Sequence, residues 1–141
     1  MQNYYLKIFG ALFCLGFFLN IVWENLHAPL YTLYRGLPIT EGILFRASLF
    51  DATFITILAL LFVLVPFFKK RLYIALIFGF AFAVCLELFA LSTSRWGYTV
   101  AMPLIPYLKV GVSPSLQLGV TALLTYFLVL KKWSVTKITS A

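Results

Sequence analysis

The stretch at residues 72–91, LYIALIFGFAFAVCLELFAL, decides the fold of this chain. It is an unbroken apolar run that carries one charged residue, Glu87. A bilayer core about 30 Å thick needs roughly 20 apolar residues in a helix that rises about 1.5 Å per residue. The run therefore predicts a membrane-spanning helix rather than a helix in water.

The rest of the chain has the same character, because 63% of its 141 residues are hydrophobic and 11% are charged. These values lie far outside the range of soluble domains. The apolar runs predict an all-α membrane protein, a four-transmembrane-helix bundle in a single integral membrane domain covering residues 1–141. The predicted spans cover residues 8–27, 47–68, 72–94 and 114–130. The first of them is expected to be a retained helix, because no signal-peptide cleavage pattern follows it.

The three connections between the predicted spans differ in kind. Residues 69–71, Lys-Lys-Arg, form a tight basic turn. Residues 28–46 are too apolar for a free loop and predict a segment lying in the membrane interface. Residues 95–113 contain Pro103 and Pro106, which interrupt a helix, so we expect a Pro-rich cap over the bundle. Ser113 and Pro114 predict the start of the last helix, as an N-cap followed by a proline.

Orientation follows from the basic residues, because an even number of spans places both termini and the basic turn on one side. That side carries seven basic residues: Lys7, Lys69, Lys70, Arg71, Lys131, Lys132 and Lys137. The other side carries four: Arg35, Arg46, Arg95 and Lys109. The bias predicts cytoplasmic N and C termini, with the cap extracytoplasmic. The expected location is a bacterial inner membrane. Basic residues at span ends favour membrane lipids as partners of this +7 chain, and not nucleic acid.

Three of the four acidic residues lie within the predicted spans: Glu24, Asp51 and Glu87. Their predicted depths from the cap side are about 4.5, 6 and 10 Å at 1.5 Å per residue. Asn20, Glu24 and His27 share one face of the first helix, and Gln117, Thr121 and Thr125 share one face of the fourth. The sequence thus predicts one polar site in the outer-leaflet half of the bundle.

A lone carboxylate in hydrocarbon costs on the order of 3 kcal/mol and is normally paired, protonated or hydrated. Arg46, Arg95 and His27 are the expected partners, and a layer with one protonated and one ionised acid would suit acid/base chemistry. We therefore expect four catalytic candidates: Glu87 as the acid, Asp51 or Glu24 as the base, and His27 as a proton shuttle. The expected substrate-binding residues are Arg46, Arg95, Asn20, Gln117, Trp96 and Tyr98.

Simpler interpretations exist for several of these residues. Asp51 falls in the first turn of its predicted helix, where the dipole favours an anion. The arginines and the aromatic residues Trp96 and Tyr98 suit the membrane interface. No cofactor is expected, although Glu24 and His27 have the Glu-x-x-His spacing of iron sites in helical bundles. A mononuclear metal site would use Glu24, His27, Asp51 and Glu87.

Several short strings resemble a group of small bacterial four-helix membrane proteins. They are WENLHAPLY at 23–31, RWGY at 95–98, MPLIP at 102–106 and VGVSP at 110–114, followed by Gln117-Leu118. This resemblance implies the architecture and leaves the activity open. A looser likeness is to sterol isomerases of the emopamil-binding type, which implies carboxylates acting on an isoprenoid.

The leading functional hypothesis is a small membrane protein that binds or acts on a lipid or isoprenoid-like substrate by acid/base chemistry. As an enzyme it would be isomerase- or cyclase-like. A second hypothesis is a proton-coupled small transporter working as a homodimer, although transport sites favour the midplane. A third is an accessory subunit of a larger membrane complex, whose buried charges would meet those of a partner.

Overall fold

The computed structural model describes the backbone of residues 2–139 and the side chains of residues 4–130. The chain is mostly helical, and four of its helices are long and apolar enough to cross a membrane, in agreement with the predicted four-helix bundle. The helices are α1 (Gln2–His27), α2 (Glu41–Leu64), the one-turn α3 (Pro66–Lys69), α4 (Ile74–Ser92) and α5 (Val112–Thr139). The side chains of Lys131, Lys132 and Lys137, which entered the orientation count, lie outside the described residues.

The predicted bounds of the second span, 47–68, were wrong at both ends. α2 begins at Glu41, because Thr40 is extended and an acid in the first turn suits the positive end of the helix. It ends at Leu64, because Val65 precedes Pro66 and the residue before a proline avoids helical conformation. Asp51 therefore lies about 15 Å from the start of α2 rather than in its first turn.

The two long connections are joined into a small sheet that the sequence did not predict, so the fold is not purely α-helical. Strand β1 (Tyr31–Tyr34) pairs antiparallel with β2 (Trp96–Tyr98), and Tyr31 lies opposite Tyr98. Aromatic residues suit strands, and backbone bonds beside the strands, such as Thr99 N–H to Leu30 O at 2.9 Å, extend the pairing. The predicted interfacial segment and the predicted cap thus form one structure, here called the aromatic sheet.

The rest of the cap folds back onto the start of α5. Leu104 and Gly111 form an isolated bridge, and Val112 N–H donates to Pro103 O at 2.8 Å. α5 already begins at Val112, so Ser113 is not its N-cap. The Ser113 hydroxyl is buried without a hydrogen-bond partner among the described residues.

The membrane-spanning helices pack around α5. α5 is the most buried of the four membrane-spanning helices, and it packs against α4 and α1. Gly79 of α4 and Gly119 of α5 bring these two backbones so close that a Cβ on either would clash. The apolar core is a cluster that includes Leu12, Ile55, Phe62, Ala122 and Tyr126. At the end near the aromatic sheet, polar residues replace this core.

Candidate functional site

A cavity of about 350 Å³ lies beneath the aromatic sheet, between α2 and α4. Small side chains on both walls, Ala47 on α2 and Ala83 and Ala90 on α4, leave the space. Glu24, Asp51, Glu87 and Gln117 bring four different helices to the cavity lining. Further lining residues include Tyr31, Tyr34, Trp96, Ile43, Phe50, Leu86, Phe89, Pro114 and Leu118.

Gln117 joins two of the carboxylates through its amide. Its Nε2 donates to Glu24 Oε1 at 2.7 Å and to Asp51 Oδ2 at 2.9 Å. Both carboxylate oxygens therefore contact the same nitrogen, and an amide has one hydrogen for each. α1, α2 and α5 are tied together at this point, because each contributes one of the three residues.

The polar faces predicted for the first and fourth spans meet beside this amide. Gln117 Nε2 also lies 3.2 Å from Asn20 Oδ1, and Thr121 Oγ1 lies 3.3 Å from the same oxygen. Asn20 in turn donates to Gly16 O at 2.8 Å. Asn20 is fully buried, so these contacts satisfy a side chain that has no access to water.

Glu87 is held by donors from the aromatic sheet instead. Trp96 Nε1 lies 3.1 Å from Glu87 Oε2, Tyr98 O–H donates to the same oxygen, and Tyr31 O–H lies 3.5 Å from Oε1. The Tyr98 oxygen accepts the Gly111 N–H at 3.0 Å, so its own proton is directed to Glu87. The indole N–H can only donate. Glu87 therefore acts as an acceptor that fixes the aromatic sheet to α4.

The tyrosines of this cluster remain donors over a wide pH range. Burial is the main reason that the pKa of Tyr98 lies above its ordinary value, and the hydrogen bond to Glu87 raises it further. Burial also raises the pKa of Tyr31, and the negative charge of Glu87 adds to this effect. Both hydroxyls keep their protons through neutral and mildly alkaline pH.

The basic residues expected as charge partners do not pair with the carboxylates. Among the side chains of residues 4–130, neither Arg46 nor Arg95 forms an ion pair with Glu24, Asp51 or Glu87, and both line the cavity. The Arg95 guanidinium lies 4.8 Å from the centre of the Phe89 ring. The carboxylates take their hydrogen bonds from neutral amide, indole and phenol groups, whereas the sequence predicted charged partners.

His27 does not join the site. Its ring stacks on Trp23 with centroids 4.9 Å apart, and Nδ1 lies 2.9 Å from Trp23 O, one turn earlier in α1. It is absent from the cavity lining, although its stripe partners Asn20 and Glu24 face the bundle interior. Its proposed role as a proton shuttle stays a prediction without a contact to support it.

Trp96 and Tyr98 occupy the site but contact Glu87, whereas Tyr31 is a site residue that the sequence analysis missed. Tyr31 lies in an apolar, proline-containing connection, and the sequence there indicated only a tyrosine at the membrane interface. The alternative of a metal site has no structural support, because the described part of the chain has no group of three or more His, Cys, Asp or Glu residues arranged to hold a metal.

No family model, curated protein or solved structure matches this chain. The site is therefore interpreted from its own residues. Its defining features are three carboxylates on three helices, neutral donors to each, and a cavity that they line together.

The Gln117 amide is expected to stabilise the bundle, because its loss leaves two carboxylates without their donor. We expect Gln117→Leu to lower the free energy of unfolding by about 1–3 kcal/mol. Adding Glu24→Gln and Asp51→Asn should restore much of the loss. Thermal melting of the purified protein in mild detergent measures both effects.

Asn25→Leu is the matched control, since Asn25 is an exposed amide on α1 that donates only to Ile21 O. Equal melting temperatures for Gln117→Leu and Asn25→Leu would show that the amide does not hold the site together.

Tyr98→Phe should destabilise the cap by roughly 1–3 kcal/mol, because Glu87 loses a donor and Gly111 N–H loses its acceptor. Since the pKa of Tyr98 is raised on folding, its contribution is fully present below the ordinary tyrosine pKa of about 10. It is lost as pH rises through the higher folded value. The stability difference between wild type and variant should thus stay constant from about pH 7 to 9 and shrink above about pH 10.

Melting temperatures across this pH range test the prediction. Tyr107→Phe is the control, because Tyr107 is exposed in the same cap. A difference that is absent at pH 7, or equally large at pH 11, contradicts the assigned role of Tyr98.

Proposed function

We propose that the chain binds an amphipathic lipid or isoprenoid-like molecule in the cavity, with its polar end among the charged and polar side chains that line one part of it. The observation that carries this proposal is the position of the cavity between α2 and α4, where one end is polar and the walls are apolar. A volume of about 350 Å³ is at the lower end of small-molecule sites. A cavity of this size suits the polar head of a lipid and the first part of its hydrocarbon chain.

The chain of such a molecule would leave the cavity sideways into the bilayer. α1 packs on α2 and α4 packs on α5, whereas α2 and α4 meet through stacked rings. Phe82 of α4 stacks on Phe54 at 4.2 Å and on Phe50 at 6.3 Å. These three residues are here called the aromatic gate. Rotation of their side chains would open a path from the cavity to the bilayer between the two helices.

The carboxylates support acid/base chemistry on a bound molecule. Two carboxylate oxygens that share one amide donor repel one another if both are ionised, so the Glu24–Asp51 pair is suited to hold and release a proton. Glu87 accepts from up to three donors and is better suited to orient a substrate or accept a proton than to give one. This assignment reverses the roles that the sequence favoured. It would suit an isomerase- or cyclase-like reaction, in which one group gives a proton and another accepts one.

Transport is less well supported than binding. The polar residues lie in one half of the bundle, and the apolar core with Phe62 and Tyr126 occupies the other half. A polar solute would have to pass through those packed rings. A lipid-like molecule that enters and leaves through the aromatic gate needs no such path.

A cavity-filling variant tests the proposal. Ala47 lines the cavity, so Ala47→Phe should occupy the space and remove the bound molecule. The protein is expressed in bacteria, purified in mild detergent and extracted, and the copurified lipids are identified by mass spectrometry. Wild type should carry a defined lipid or isoprenoid species near one molecule per chain, and Ala47→Phe should carry less than about a tenth of it.

Ala81→Phe is the matched control, since Ala81 is exposed on α4 and absent from the cavity lining. It should retain the wild-type lipid. Identical, unselective lipid mixtures from wild type and both variants would contradict a binding function of the cavity.

A further inference from the structure

Three arginines lie together where the cavity meets the end of the bundle. Arg46, on α2, and Arg95, just before β2, line the cavity itself. Arg35 follows β1, and its backbone N–H donates to Arg95 O at 2.6 Å. The aromatic sheet thus joins the backbones of two arginines that are 60 positions apart in the sequence. Arg46 shares a cavity wall with Arg95 and lines a second cavity with Arg35.

A second, more open cavity adjoins Arg35 and Arg46. It has a volume of about 440 Å³ and is lined by Tyr34, Arg35, Leu37, Pro38, Thr40, Ile43 and Arg46. Tyr34, Ile43 and Arg46 line both cavities, so the two are neighbours separated by these side chains. Arg46 therefore lies between the two cavities.

The three guanidinium groups have no carboxylate within ion-pair distance among the described side chains. No described side chain forms an ion pair with Arg35, Arg46 or Arg95, and Glu41, the acidic residue outside the cavity, pairs with none of them. Two of the groups lie over ring faces instead, Arg35 at 5.6 Å from the Tyr34 centroid and Arg95 at 4.8 Å from that of Phe89. A ring face orients a guanidinium while leaving most of its N–H donors available.

We propose that Arg35, Arg46 and Arg95 form a subsite for the phosphate group of an anionic lipid. This inference rests on the proposed function and names the class of its ligand. Guanidinium groups match phosphate oxygens with paired hydrogen bonds. Two arginines in the wall of a largely apolar cavity, with the third in the adjoining cavity, suit a phosphate that carries an apolar chain.

The carboxylates fix the orientation of this ligand. Glu24, Asp51 and Glu87 repel a phosphate from the inner part of the cavity, so the phosphate stays at the arginines. The neutral part of the molecule, such as a hydroxyl group or a double bond near the phosphate, then lies beside the carboxylates. Its chain passes between α2 and α4 at the aromatic gate. The reacting group would thus be within a few bonds of the phosphate.

Matched ligands test the subsite. Wild-type protein in phosphatidylcholine nanodiscs is titrated with dioctanoyl phosphatidic acid, dioctanoylglycerol and inorganic phosphate, and binding is followed by native mass spectrometry. Phosphatidic acid should bind at least about tenfold more tightly than the diacylglycerol, as one or more charge-assisted hydrogen bonds would produce. Arg46→Gln and Arg95→Gln should each remove most of that preference.

Lys109→Gln is the charge-matched control, because Lys109 is an exposed residue of the same cap and lines neither cavity. It should leave the preference unchanged. An equal loss in Lys109→Gln would reduce the effect to general surface charge and overturn the subsite.

The remaining outcomes separate this inference from the proposed function. If dioctanoylglycerol binds as tightly as phosphatidic acid, the phosphate subsite is wrong and the lipid cavity stands. If inorganic phosphate binds as tightly as the lipid, the site is one for free phosphate and the lipid ligand is wrong. If no ligand binds to wild type while it elutes as a single folded species, both proposals fail.

Discussion

Carboxylates inside a bilayer need hydrogen-bond donors from the protein, and this need organises one whole end of the bundle. Gln117 supplies the donor to Glu24 and Asp51, and so holds α1 and α2 to α5. Glu87 on α4 takes its donors from the aromatic sheet, including Trp96. The two sets of contacts lie on opposite sides of the cavity. Because Asp51 on α2 and Glu87 on α4 take their donors from different segments, the two helices do not need to meet at this end of the bundle. The cavity lies between them.

Much of this end could be predicted from helical periodicity and from the cost of burying charge. The four apolar runs predicted the spans, and the stripes of Asn20 with Glu24 and of Gln117 with Thr121 predicted helix faces that do meet. These features are local, since residues three or four apart on a helix share a face whatever the rest of the chain does. The acids line one cavity, although Asp51 lies farther from the start of its helix than the predicted distance of about 6 Å.

The features that sequence reasoning missed depend on contacts between distant segments. β1 and β2 have four and three residues, too few for an alternation pattern, and each becomes a strand only beside the other. Arginines were the expected partners of the acids, yet a long arginine side chain can extend toward the interface and leave its charge outside the bundle. His27 shares a stripe with Glu24, but it is the last residue of α1, and stacking on Trp23 orients it elsewhere.

The space between α2 and α4 is expected to hold a defined lipid, and photo-crosslinking in living cells can detect it there. Photo-leucine is close in shape to leucine and can report on Leu86, which lines the cavity, and on Leu88, which is exposed on α4. Fragmentation of the crosslinked peptides in the mass spectrometer assigns each lipid adduct to its leucine. We expect one predominant adduct mass at Leu86 and a mixture of bulk membrane lipids at Leu88. The same mixture at both positions would show that the cavity holds no defined lipid.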